Sequence, residues 1–296
     1  MSGSRILVIG DVMTDIIVIP DGPIVRGSDR RAKVRSRPGG SGANQAVWLG
    51  SMGAYVRFTA RVAEADRAAL EAHFRSKHVE PVLAGDATTP SGVLVTIIDI
   101  DGERSFLTDR GANLNLSTED LPPSLLDDVR LVLTSGYSYF TPGPRAAVMG
   151  LLKEAKTRAV ATAVDPASVG FLREVGSDQF LRWTTGVGTI FANSDEALAL
   201  TGSSDLNLQM QTLGRIYSRV VIKRGSAGAA IGGREGVTLS LPAQPAEVVD
   251  TTGAGDAFAA AFLVAEVKGG DAEACLRAGL AAAAEAVSRI GGQAVE

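Results

Sequence analysis

The chain of 296 residues has one cysteine, Cys275, two histidines, His73 and His78, and few aromatic rings, 5% of the total. A single cysteine excludes an intrachain disulfide and a cysteine-based metal site, and it fits a reducing, cytoplasmic setting. Two histidines on one helix and its exit read as solvated surface, so a histidine triad or a histidine-rich metal centre is a poor reading. No run of about 20 apolar residues is available to span a membrane. The short apolar start is interrupted by Asp11 and Asp15 and reads as a first strand, not a signal peptide. GxxxxGK[ST] is missing, which excludes a P-loop NTPase; no GxGxxG follows a strand, which disfavours an NAD-binding oxidoreductase; and there is no GxSxG elbow. The net charge is -4, and the densest basic run, Arg26 to Arg37, sets six basic residues against one Asp. That is too sparse for a nucleic-acid surface, so the expected partner is a small molecule, with no nucleic acid and no membrane.

What is present is aliphatic. With 45% hydrophobic residues the chain buries a large core of Val, Leu, Ile and Ala. Strand-like runs at 5–10, 130–136, 158–165, 188–193 and 219–225 alternate with helix-length segments at 43–53, 64–77, 142–157 and 194–202. That alternation predicts a mainly parallel, doubly wound sheet with helices on both faces, in one α/β domain over residues 1–296. Residues 12–37 and 92–110 carry strand signals without an intervening helix, and Asp101-Gly102 marks a hairpin turn. They predict a small additional β-sheet.

In such folds ligands bind beyond the carboxyl ends of the strands, so the loops there are informative. VDTTGAGDAF (249–258) precedes a helix. Gly253, Ala254 and Gly255 would leave several N–H groups of the helix start aimed at one anion, with Asp256 in reach as a general base. The same residues also read as a turn capped by Thr251 and Thr252. PGGSGANQ (38–45) is either a plain loop or a surface where a polyol docks against backbone. Asn193 and Glu196 are either a helix cap with a first-turn acid or a pair holding waters around Mg²⁺.

Taken together, PGGSGAN near the start and DTTGAGDAF near the end, with GDVMTD, NSDE, KRGSAG and SRIGGQ, resemble the signature loops of the ribokinase-like (PfkB) carbohydrate kinases, in that family's order and spacing. The resemblance covers essentially the whole chain. It implies a ribokinase-like fold whose small sheet is a lid over the substrate, often pairing two protomers. It implies that Asp256 is the catalytic base and that Gly253, Ala254 and Gly255 form the anion hole for the γ-phosphoryl group. Asp15, Gly40, Gly42 and Asn44 match sugar-binding positions. Asn193 and Glu196 match the phosphate and magnesium motif, and Lys223, Gly225 and Gly228 a loop lining the nucleotide. Asp250, Thr252, Ala286, Arg289 and Gly291 match a monovalent-cation site, expected to hold K⁺ largely through backbone oxygens.

The resemblance implies an ATP- and Mg²⁺-dependent kinase of a sugar or sugar acid, with a nucleoside kinase as the alternative within the fold and a non-catalytic sugar-binding regulator as the alternative outside catalysis. Departures bear on the substrate. SGYSYF (135–140) replaces an acidic sugar contact of ribokinases, leaving Tyr137 or Tyr139 for that role, and Met13 and Leu280 stand where ribokinases carry Asn. Arg104 and Arg110 are extra cations that could meet an anionic substituent. For a nucleobase, Val93, Val95 and Phe106 are the expected apolar lid residues.

Overall fold

The computed structural model describes residues 5–99 and 103–294; the Asp101-Gly102 turn and the Arg104 side chain lie outside the described part. In chain order the elements are β1 (Arg5–Ile9), β2 (Met13–Pro20), β3 (Ala32–Gly39), α1 (Ser41–Ser51), β4 (Val56–Ala63), α2 (Glu64–Ser76), β5 (Val79–Asp86), β6 (Gly92–Ile98) and β7 (Arg104–Asp109). There follow β8 (Val129–Ser135), α3 (Pro142–Thr157), β9 (Ala161–Asp165), α4 (Val169–Val175), α5 (Ser177–Trp183), β10 (Thr189–Asn193), α6 (Ser194–Thr201) and α7 (Leu206–Leu213). The chain closes with β11 (Arg219–Lys223), β12 (Ala229–Gly233), β13 (Gly236–Leu241), α8 (Ala254–Val267) and α9 (Ala272–Val287).

Nine strands form one sheet in the order β13-β12-β11-β10-β9-β8-β1-β4-β5. Pairings from β11 through to β5 are parallel, and β12 and β13 add an antiparallel end that the sequence pattern did not suggest. The strand RILVI is buried on both faces, because successive side chains of a strand point to opposite sides. Ile6 and Val8 join a core made with α1, α2, α8 and α9, whereas Leu7 and Ile9 join a second core against α3, α5, α6 and α7. Each such side chain contributes about 1.5–3 kcal/mol of burial, and together they fix β1 between the two cores.

From β1 the strand order runs one way to β4 and β5 and the other way to β8 through β11. β1 and β8 stay paired to their carboxyl ends, Ile9 opposite Thr134, and it is the connections leaving them in opposite directions that open a crevice there in a sheet of this type. Four further strands, in the order β3-β2-β6-β7, make the separate small sheet anticipated from 12–37 and 92–110. Its pleat sorts the residues by face. Met13, Asp15, Leu94, Phe106 and Thr108 face the crevice. The register puts Ile16, Val18, Val34, Val93, Val95 and Leu107 on the opposite face. Val93 and Val95 therefore do not line the substrate side as expected, because they sit one residue out of phase with Leu94.

Candidate active site

A cleft of about 450 Å³ lies between the small sheet and the carboxyl ends of the central strands. Of the residues expected to act, Asp15, Gly40, Asn44, Arg110, Asn193, Glu196, Lys223, Thr252, Gly253, Gly255 and Asp256 all line it. They come from segments more than 200 residues apart in sequence, and the parallel topology brings them to one end of the sheet.

The floor of the cleft is the start of α8. Gly253 occupies the N-cap in the left-handed conformation, with φ 76°, and among the described residues no side-chain hydrogen bond caps the helix. The reading of Thr251 and Thr252 as caps is thus corrected. Glycine is required at 253 because a Cβ there would stand 2.4 Å from the Gly292 Cα. At Gly255 a Cβ would stand 3.1 Å from Lys223 Nζ, so the bare backbone lets the ammonium approach the helix mouth. First-turn N–H groups have no acceptor within their own helix, and the macrodipole adds about half a positive charge there.

Asp256 sits in that first turn. Ser41 Oγ donates to its Oδ1 at 2.8 Å, Gln45 Nε2 to the same oxygen at 3.1 Å, and Asn44 Nδ2 to Oδ2 at 3.2 Å. All three donors come from the beginning of α1, the segment read as SGANQ. Burial pushes the carboxyl up to about 7; Asp165 adds to the shift, and the Ser41 and Asn44 bonds and Lys223 oppose it. A carboxylate held by three donors and titrating near neutrality is suited to accept a proton from a hydroxyl.

Beside it, Lys223 at the end of β11 donates to Asp165 Oδ2 at 2.6 Å. Burial lowers the lysine's pKa, but the carboxylates of Asp165 and Glu196 outweigh it and the net shift is upward, so the ammonium keeps its proton. Glu196 is 2% exposed, and burial raises its pKa, helped by Asp165. Asn193 and Glu196 form a reciprocal cap: the Glu196 N–H donates to Asn193 Oδ1 at 2.9 Å and the Asn193 N–H to Glu196 Oε2 at 2.8 Å. The capping reading of this pair is therefore realised, and both residues still face the cleft. Among the described residues no cluster of three acidic, His or Cys side chains could cage a metal. A divalent cation here would keep waters and lean on phosphate oxygens, the behaviour of Mg²⁺.

At the other end, Asp15 points into the cleft with Oδ1 buried and, among the described residues, without a hydrogen-bond partner. Burial, with Asp11 and Asp250, pushes its pKa up to about 6. Arg110 lines the cleft while engaged within the protein: Nη1 donates to Asp11 Oδ2 at 3.3 Å, and the guanidinium stacks 4.1 Å over the Tyr137 ring. Tyr137 faces the cleft, whereas Tyr139 is fully buried and hydrogen-bonded with Thr134, so only the first can touch a ligand.

Some expected residues do not line the cleft. Gly42 is buried against Gly10, where a Cβ would come within 2.5 Å of the Gly10 Cα, and its N–H donates to Asp11 Oδ1 at 3.1 Å. Ala254 is part of the helix start without facing the opening, and Gly225 and Gly228 shape the exposed turn after β11. Asp250 is buried below the cleft, its carboxylate accepting the N–H groups of Thr252 at 2.9 Å and Gly291 at 3.1 Å. Ala286 lies at the buried end of α9, and the Arg289 side chain pairs with Glu285. Arg37 from β3 donates to the Ile290 carbonyl, so a guanidinium already stands beside the expected cation position.

Sequence reasoning passed over Asp165, Ser41, Gln45, Asp11 and Phe171. Asp165 was readable as an acid at the carboxyl end of a buried strand; Ser41 and Gln45 flank Asn44 on one helix, but nothing in their types marks them.

Residues 4–296 match the model of the pfkB family carbohydrate kinases. The chain belongs to that family. It is thus a phosphotransferase acting on a hydroxyl group, a sugar or nucleoside kinase. The kinase is 29% identical to a ribokinase of Bacillus subtilis over 98% of this chain and 94% of the relative. It is 27% identical to a cytidine kinase of Thermococcus kodakarensis over 97% of both. Among solved structures, a probable sugar kinase of Rhizobium etli superposes with a TM-score of 0.88 at 23% identity, covering 99% of this chain and 96% of the other. Arabidopsis thaliana ribokinase complexed with ribose and ATP superposes at 0.82 and 26% identity, covering 98% and 94%.

Proposed function

We propose that the protein transfers the γ-phosphoryl group of ATP to a hydroxyl of a small sugar or sugar acid, the whole chain acting as one catalytic domain with the small sheet as its lid. The observation that carries this is the uncapped start of α8, which aims N–H groups at the same space as Lys223 while holding Asp256 in its first turn. Asp256 takes the proton of the acceptor hydroxyl, and the Gly253–Asp256 turn with Lys223 holds the transferring oxygens as charge develops on them. Mg²⁺ fits beside Asn193 and Glu196, where it would neutralise phosphate charge. The ribokinase complex with ribose and ATP supports both ends of the assignment.

Asp15, Gly40 and Asn44 hold the acceptor in this reading, and Tyr137 serves in place of an acidic contact. The nucleoside alternative keeps one specific support: Leu94, Phe106 and Phe171 give the acceptor end apolar walls wide enough in character for a base. We further infer that K⁺ activates little, since Arg37 already supplies positive charge at the Ile290 carbonyl. The apolar outer face of the lid, with Val34 and Leu107 each 61% exposed, is read as the surface on which two copies pair. A buried free cysteine suits a cytoplasmic location. ADP release over a panel of neutral sugars, sugar acids and nucleosides, with and without K⁺, tests the assignment. Turnover with a sugar or sugar acid supports it, turnover confined to nucleosides selects the alternative, and silence across the panel overturns it.

A further inference from the structure

Gly292, in the turn that follows α9, has no part in the chemistry assigned above, yet it touches both halves of the site. Gly292 is the point of contact. A Cβ on Gly292 would stand 2.4 Å from Asn44 Nδ2, the amide that donates to Asp256. A Cβ on Gly253 would stand 2.4 Å from the Gly292 Cα and 2.6 Å from its carbonyl oxygen. The bare Gly292 backbone therefore fills the gap between the side chain that orients the base and the residue that opens the phosphate-facing turn.

Gly292 is itself pinned. Trp48 Nε1 donates to its carbonyl at 2.9 Å in a buried setting, and Trp48 is 2% exposed. Trp48 lies four residues beyond Asn44 on α1, so the two side chains emerge from the same face of the helix one turn apart. The next residue is held as well, His73 Nε2 and Gln293 Oε1 standing 3.0 Å apart. Asn44 Oδ1 is buried without a hydrogen-bond partner, so among the described residues no hydrogen bond at that atom holds the amide, and its contact with Gly292 bears on where it stands.

We propose that Gly292, anchored by Trp48, is a positioning residue for phosphoryl transfer: it sets the separation between the Asn44 amide that orients Asp256 and the Gly253 turn that faces the phosphates. This rests on the kinase reading of the site. A methyl at 292 must push the Asn44 amide, the Gly253 turn or both, and a displacement of about 1 Å at such a site costs on the order of 10²-fold in rate.

The test uses Gly292→Ala, Trp48→Phe, Asn44→Ala and the Gly292→Ala/Asn44→Ala pair in the full chain, with steady-state kinetics on the acceptor found by the panel. Gly292→Ala is expected to lower kcat about 10- to 100-fold. Its acid limb in kcat should move to higher pH, because the Asn44 bond is one of the interactions that hold the Asp256 pKa down. Trp48→Phe, which keeps the ring and deletes the donor, should move kcat and the acid limb the same way by less. In the Asn44→Ala background the Gly292→Ala cost should shrink to less than about 3-fold, since coupled residues are non-additive. Wild-type kcat and acid limb in Gly292→Ala, or full additivity with Asn44→Ala, would overturn the proposal even where melting temperature falls. If Gly292→Ala does not fold, Trp48→Phe alone decides: an unchanged kcat and limb overturn it. An active Asp256→Asn enzyme would instead overturn the kinase reading beneath it.

Discussion

Lys223 Nζ stands 2.6 Å from Asp165 Oδ2, two strands apart at the carboxyl end of the sheet, with side-chain exposures of 13% and 5%. The pair joins the mouth of α8 to the acidic wall formed with Glu196. Removing the cation alone leaves two carboxylates facing each other, and breaking a pair this buried costs about 3–5 kcal/mol. Lys223→Met should therefore lower the melting temperature and cut kcat/KM for ATP on the order of 10²-fold. Lys223→Met with Asp165→Asn should regain stability without regaining activity. Thermal melts and ATP-dependent kinetics on the two variants check both statements.

The raised carboxyls fix the pH behaviour. Asp256 goes from 3.8 to about 7 and Asp15 from 3.8 to about 6 on folding, mainly through burial. A raised carboxyl favours its protonated form in the fold, so its contribution to stability is complete below about pH 4 and is lost as pH rises through the folded value. Melting temperature should fall between about pH 4 and pH 7, and fall less in Asp256→Asn. Activity runs the other way, since a base must be ionised: kcat/KM should rise with pH along a limb centred near 7. A limb near 4 in wild type would contradict the assignment.

The two glycines of the turn should separate when replaced. Gly253→Ala meets backbone at 2.4 Å and keeps a left-handed φ, a strain of about 1–3 kcal/mol, so it should lower stability and activity together. Gly255→Ala meets only the movable end of Lys223 at 3.1 Å. It should fold as wild type does while the KM for ATP rises about 10-fold, on the scale of one lost charge-assisted contact. Denaturation curves set beside ATP titrations distinguish the two.

On the small sheet, Val34 and Leu107 share the face turned away from the cleft. A charge placed in an apolar contact is costly to bury. If two copies pair through this face as proposed, Leu107→Asp should shift the mass in light scattering from dimer to monomer while residual activity persists. A wild-type monomer at micromolar concentration would refute pairing through this surface.

The strand runs and the two glycine-rich loops were legible because apolar periodicity and turn chemistry are local properties. Other features were not. β4 and β5 read VRFTARVA and VEPVLAGD, where Arg, Glu and Pro break the apolar run that marks a buried strand. The antiparallel β12 and β13 depend on glycine-rich turns that fit a loop equally well. Asp165 is a site residue only because β9 ends beside β11's Lys223 in space, and the role of Val93 and Val95 was misread because one residue of register moves a side chain to the other face. Arg110 was legible as an extra cation, but its partner Asp11, 99 residues away, was not.

Asp256 carries the central claim, and the most direct measurement is single-turnover phosphoryl transfer by Asp256→Asn with acceptor and MgATP bound. The account predicts a rate lower by about 10²–10⁴-fold, ATP binding within a few fold of wild type, and loss of the limb near pH 7. Transfer at a near-wild-type rate with that limb intact would contradict it.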